Sequence, residues 1–174
     1  MTAAAGYQLV TEAPESWEGR YVITYGRTDA LIALKGVAGT KKLESAGAGA
    51  AAAFADTGMT LDGMTLVDAA DAYVFEIAAN GDKLTIRNAA TGTYLASRGG
   101  YLYSYKTDTA SYCRWTLAAN GEAVDAANVS SKTLSHLGFS AKNYFAMSRT
   151  ADANICFWKM GESTETTLYT TVID

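Results

Sequence analysis

"CRWTLAANGEAVDAANVSSKTLSHL", residues 113–137, holds the pattern on which the fold reading turns. Read with a period of two, Cys113, Trp115 and Leu117 leave one face of a strand, and Arg114 and Thr116 leave the other. The first face is apolar and the second polar, as a half-buried strand requires. Asn120-Gly121 then marks a turn, and a second alternating stretch leads to Asn128. Forty residues earlier the same order recurs as "YVFEIAANGDKLTIRNAATGTYLAS" (73–97), with Asn88 in the place of Asn128. The apolar face there is Tyr73, Phe75 and Ile77.

A closing strand, "CFWKM" (156–160), repeats the aromatic pattern with Cys156, Trp158 and Met160 on one face and Phe157 and Lys159 on the other. Upstream, "GRYVITYGRTDALIALKG" (19–36) reads as a further copy at a shift of 63, so the excess over forty marks an insertion at about 37–60. That insertion is rich in Gly and Ala and does not alternate. A short Ala-rich helix or a surface loop would both suit it, and the loop is the favoured reading. Three units of this kind, none able to bury its aromatic face alone, are expected to pack around a pseudo-threefold axis. The expected fold is therefore all-β: a β-trefoil of three repeats of about forty residues across 1–160. Phe75, Trp115 and Trp158 would form one central layer, and "YQLV" (7–10) would pair near the last strand. Residues 161–174, rich in Thr and Glu, read as a linker or tail and suggest part of a larger polypeptide.

The strand-and-turn segments "YVFEIAANG" and "CRWTLAANG" resemble the Q-x-W strand and glycine turn of ricin-type β-trefoil lectins. The tryptophan of that motif falls on Trp115, with Phe75 and Trp158 as its repeats. The glutamine is replaced by Tyr73, Cys113 and Cys156, and the family's disulfides within repeats are missing. The pattern is also similar to lectin-like modules of large bacterial surface proteins. Both resemblances imply binding and not turnover.

Composition narrows the function classes. The chain has 174 residues, 49% hydrophobic, with a net charge of −4, and is expected to fold as one domain. It lacks the basic surplus that a phosphate backbone attracts, so nucleic acid is not an expected partner. No apolar run approaches the ~20 residues of a bilayer span, so no membrane insertion is expected. The opening "MTAAAGYQLV" shows no signal-peptide pattern, as a chain already cleaved or cut from a longer one would also read. Two cysteines and one histidine, His136, fall short of a zinc set, and no metal or other cofactor is expected. Cys113 and Cys156 read as buried free thiols, with a disulfide between them as the alternative.

For catalysis, one histidine without a G-x-S-x-G turn does not make a hydrolase site, and His136 reads as wet or backbone-bonded. Asp68, Asp71, Asp82, Asp108 and Asp125 stand mostly in turn contexts, with no pairing to infer for glycoside hydrolysis. "NVS" (128–130) fits a glycosylation acceptor. The feature left over is "GGYLYSYKTDT" (99–109). Here Tyr101, Tyr103 and Tyr105 share a face, while Leu102 is the counterpart of the inward pair Phe145 and Met147 of "NYFAMS" (143–148). Three phenols in a row, followed by Lys106 and Asp108, exceed what sheet stability needs and suit sugar rings stacking on aromatics. The ligand-binding residues expected are thus Tyr101, Tyr103, Tyr105, Lys106 and Asp108. The expected function is a non-catalytic, carbohydrate-binding recognition module of a secreted or cell-surface protein. A protein-binding or structural module of a multidomain adhesin, with a host surface protein as partner, is the alternative. A protease inhibitor of the plant trefoil type is a third reading, lowered by the lack of a disulfide-braced loop.

Overall fold

In the computed structural model, residues 6–108 and 111–161 are described, so most of the 161–174 tail lies outside the described residues. The chain is built of short strands. The first part holds β1 (Gly6–Leu9), β2 (Gly19–Tyr25), β3 (Ile32–Leu34), β4 (Lys41–Lys42) and β5 (Ala51–Ala53). One helical turn, α1 (Phe54–Thr57), precedes the small hairpin β6 (Thr60–Asp62) and β7 (Thr65–Val67). Then come β8 (Val74–Asn80), β9 (Lys83–Asn88), β10 (Tyr94–Arg98) and β11 (Tyr101–Tyr105). The last part holds β12 (Trp115–Asn120), β13 (Ala123–Asn128), β14 (His136–Ser140), β15 (Tyr144–Ser148) and β16 (Ile155–Met160).

The two Asn-Gly stretches make tight hairpins. Gly81 and Gly121 sit at φ +64° and +67°, the left-handed backbone that the first position of a two-residue loop demands. Register follows: Phe75 lies opposite Asn88, and Trp115 opposite Asn128. Both asparagines are buried and serve the backbone. The Asn88 amide donates to the carbonyls of Ala72 and Val74, and its oxygen accepts from the N–H groups of Ala90 and Thr91. Asn128 donates to the carbonyl of Tyr112 at 2.7 Å and accepts from the Ser130 N–H at 2.9 Å. A side chain on Gly36 would put its Cβ 2.1 Å from Asn88 Cγ, so the bare backbone there makes room for the buried amide.

The expectation of a closed three-lobed barrel is corrected by the ladders. The sixteen strands of the described residues join one branched sheet, ordered β15-β14-β13-β12-β9-β8-β2-β16-β1-β7-β6, and the path does not return on itself. Off it, β10 and β11 extend from β9 and reach β4, while β3 and β5 extend from β2. The physical reason lies in β16. One edge is taken by β2 over Ile155–Lys159, and the other by β1 over Trp158–Met160. β13 lies beside β16 with no ladder between them, and β1 carries the sheet onward to β7 and β6. This arrangement is neither a β-trefoil of three repeats nor the fold implied by the likeness to ricin-type lectins and to lectin-like modules of bacterial surface proteins.

The core divides accordingly. One cluster gathers Tyr21, Ile23, Phe75, Trp115, Phe145 and Phe157; the other gathers Tyr7, Val22, Leu66, Val74, Cys156 and Trp158. Strands β2 and β16 are thus buried on both faces. The aromatic that joins Phe75 and Trp115 is Phe157, so the expected layer containing Trp158 is corrected. The two tryptophans each find a hydrogen-bond acceptor, Trp115 Nε1 on the Leu95 carbonyl and Trp158 Nε1 on Thr24 Oγ1, both at 2.9 Å. The 37–60 stretch also departs from the surface loop expected for it. It supplies β4, β5 and α1 and buries Leu43, Ala50, Thr57 and Met59.

Candidate functional site

The face carrying the three tyrosines is formed by β10, β11 and β4. Leu102 and Ser104 are buried beneath it, Ser104 donating to the Gly39 carbonyl at 2.7 Å. Tyr101, Tyr103 and Tyr105 therefore point outward, as alternation dictates. Tyr101 is the most open, at 45% exposure, while Tyr103 and Tyr105 are half-buried. Tyr103 and Tyr105 meet edge to face with centroids 6.0 Å apart, and Tyr105 continues to Tyr112 at 5.9 Å. The rings form a tilted ridge and not a flat platform.

Two cations are fixed onto this ridge. The Lys42 ammonium sits 3.7 Å from the centre of the Tyr101 ring, brought there by the β4–β11 ladder that places Lys42 opposite Tyr103. Arg98, opposite Tyr101 on β10, donates to the Tyr105 hydroxyl at 3.3 Å and faces the Tyr112 ring at 5.9 Å. That hydrogen bond, with the phenols around it, raises the Arg98 pKa above its ordinary value. Lys106 is exposed, its backbone N–H held by Thr40 Oγ1, and the half-buried Asp108 gives its carbonyl to Arg114 at 2.6 Å. Neither side chain is brought into a described contact with the tyrosines. Lys42, Arg98 and Tyr112 are the members that sequence reasoning missed. Only Arg98 had a readable signal, since it closes the strand whose hairpin partner is Tyr101.

Other expected positions fall elsewhere. His136 Nδ1 lies 2.7 Å from Asp125 Oδ1 across β13 and β14, so this nitrogen is held by a side chain and not by the backbone. Arg27 spans an ion pair with Glu122 at 3.3 Å and a contact with Cys156 Sγ at 3.2 Å. Both cysteines are free and buried. Burial pushes the Cys113 thiol up to about 11; it also raises Cys156, against the opposing pull of Arg27. Such thiols are poor nucleophiles. Among the described residues, no three His, Cys, Asp or Glu side chains gather as metal ligands would, and no helix is long and apolar enough to cross a membrane.

Glu44 was also invisible in the sequence. It follows β4, and its Oε2 accepts from the backbone N–H groups of Leu102 at 2.9 Å and Met147 at 2.8 Å. One carboxylate thereby ties β11 to β15 below the tyrosine ridge. No protein-family model and no curated protein matches the chain.

Proposed function

We propose that the protein is a non-catalytic recognition module of a secreted or cell-surface protein, binding carbohydrate on the ridge of Tyr101, Tyr103 and Tyr105. The observation that carries this reading is the outward row of phenols above a fully buried Leu102, with Tyr101 nearly half exposed. Sugar C–H faces pack on such rings, while Lys106 and Asp108, just beyond the strand, supply polar arms for hydroxyl groups. Exposed aromatic clusters tend to mark interaction surfaces.

A glycan array run with the wild-type chain and with Tyr103→Ser tests it. The substitution should weaken binding by roughly 1–3 kcal/mol, the loss typical of an aromatic anchor. It should lower stability by roughly 1–2 kcal/mol, since it removes one edge-to-face contact and the ring set between two cross-strand neighbours, Ala96 and Lys42. A wild-type chain that retains no glycan but captures a surface protein would replace this reading with the adhesin-module alternative. Binding untouched by Tyr103→Ser would move the site away from the ridge.

A further inference from the structure

We propose that the glycan taken by this face is acidic, its sulfate or carboxylate groups lying between Lys42 and Arg98 while a sugar ring rests on the tyrosines. The inference builds on the carbohydrate reading above and adds the ligand's charge. The chain as a whole is acidic, 18 Asp and Glu against 14 Lys and Arg, so a cationic face is not what composition supplies by default. Yet the charged side chains set on the ridge are both positive: Lys42 on the Tyr101 ring and Arg98 against Tyr105 and Tyr112.

The nearby carboxylates do not neutralise them. Glu44 turns its carboxylate to the Leu102 and Met147 N–H groups, and no carboxylate of the described residues forms an ion pair with Lys42 or Arg98. The described ion pairs use Arg20, Arg27, Lys83, Arg87 and His136, and none uses Lys42, Arg98 or Lys106. Ring contacts hold both cations in place before any ligand arrives, which lowers the ordering cost of binding. A guanidinium with free N–H groups beside an aromatic edge matches the planar or trigonal oxygens of a carboxylate or sulfate. An acidic peptide would satisfy the charges but leave the tyrosines without the flat C–H faces they suit, so an acidic sugar fits both halves of the site.

The test compares the whole chain's affinity for dextran sulfate, for dextran of the same length, and for polyglutamate. Dextran sulfate should bind about tenfold tighter than dextran, the effect of two exposed charge contacts. It should also bind tighter than polyglutamate and weaken as salt is raised. Lys42→Gln with Arg98→Gln should erase the advantage of sulfate, and Lys142→Gln with Arg149→Gln, an equal change of charge at the exposed flanks of β15, should not. Retention of that advantage in the double variant would overturn the assignment of these two cations. Equal binding of dextran and dextran sulfate would overturn the acidic preference and leave the carbohydrate reading standing. Polyglutamate binding as well as dextran sulfate would reduce the face to a general anion site and overturn the proposal. No binding to either dextran would overturn the acidic preference, and the glycan array decides the carbohydrate reading separately.

Discussion

Replacing Glu44 tests whether one side chain fastens two parts of the sheet. In the folded chain its carboxylate receives the N–H groups of Leu102 and Met147, whose side chains are both in the core. Glu44→Ala leaves two inward-lying N–H groups without their acceptor. At about 1–3 kcal/mol for each donor stranded in this way, the loss is roughly 2–5 kcal/mol, water reaching this half-buried site setting the lower end. For a chain of this size, each kcal/mol moves the melting temperature by about 2–4 °C, so a drop of roughly 4–20 °C is expected. Glu44→Gln keeps an oxygen in place but removes its charge. Charged hydrogen bonds are about twice as strong as neutral ones, so Gln should recover about half of the loss. Thermal unfolding followed by circular dichroism gives the ranking, and amide hydrogen exchange locates it. The Leu102 and Met147 amides should exchange slowly in the native chain and much faster in Glu44→Ala. A melting temperature within a degree of wild type, or Gln as damaging as Ala, would refute the reasoning.

Trp115→Ala should cost about 3–5 kcal/mol, because it opens a cavity in the larger core cluster and strands the Leu95 carbonyl; an unchanged urea midpoint would contradict the burial assigned to it. Deleting residues 45–58 should abolish cooperative unfolding, since the cut removes the β3–β5 ladder together with buried Ala50 and Thr57; a cooperative transition in the deletion would restore the surface-loop view. Cys113 and Cys156 should resist alkylation at pH 8 until denaturant is added, as buried, protonated thiols do, with mass spectrometry counting the adducts. The Cys113 pKa is higher folded than unfolded, so its contribution to stability is full below pH 9.0 and is lost as pH climbs through about 11; Cys113→Ala should flatten that alkaline decline.

Local structure was largely legible from the residues, while long-range pairing was not. Alternation and the Asn-Gly turns placed both hairpins and made Leu102 inward, because a period of two and a left-handed glycine act over a few residues. The closing strand misled for the opposite reason. Assigning Cys156 and Trp158 to the core made Phe157 an outward residue, an assumption that one face stays wet. Ile155, Cys156, Phe157 and Trp158 form a continuous apolar run, the mark of a strand covered on both faces, and that signal was present in the sequence. Which strands would occupy the two edges of β16 depends on chain segments roughly 130 to 150 residues apart, and no local pattern encodes it. The 37–60 stretch hid Leu43 and Met59 for a related reason, as single buried residues without a period give nothing to count. At the candidate site the tyrosine row was readable, but the cations reach it across β4 and β10.

The enclosed amide of Asn128 bears on how the chain can be made. It stands in an N-V-S tripeptide, which a glycosylating host modifies on the very nitrogen that donates to the Tyr112 carbonyl. Once folded, that nitrogen is shielded, with Asn128 only 3% exposed. A transferase therefore has access only while the chain is being threaded past it, and a sugar attached in that interval would block closure at the end of the β12–β13 hairpin. In such a host, yield becomes a race between hairpin formation and sugar transfer. Asn128→Asp would withdraw the acceptor but also the amide donor, whereas Ser130→Ala removes the tripeptide and leaves the amide free to close the turn.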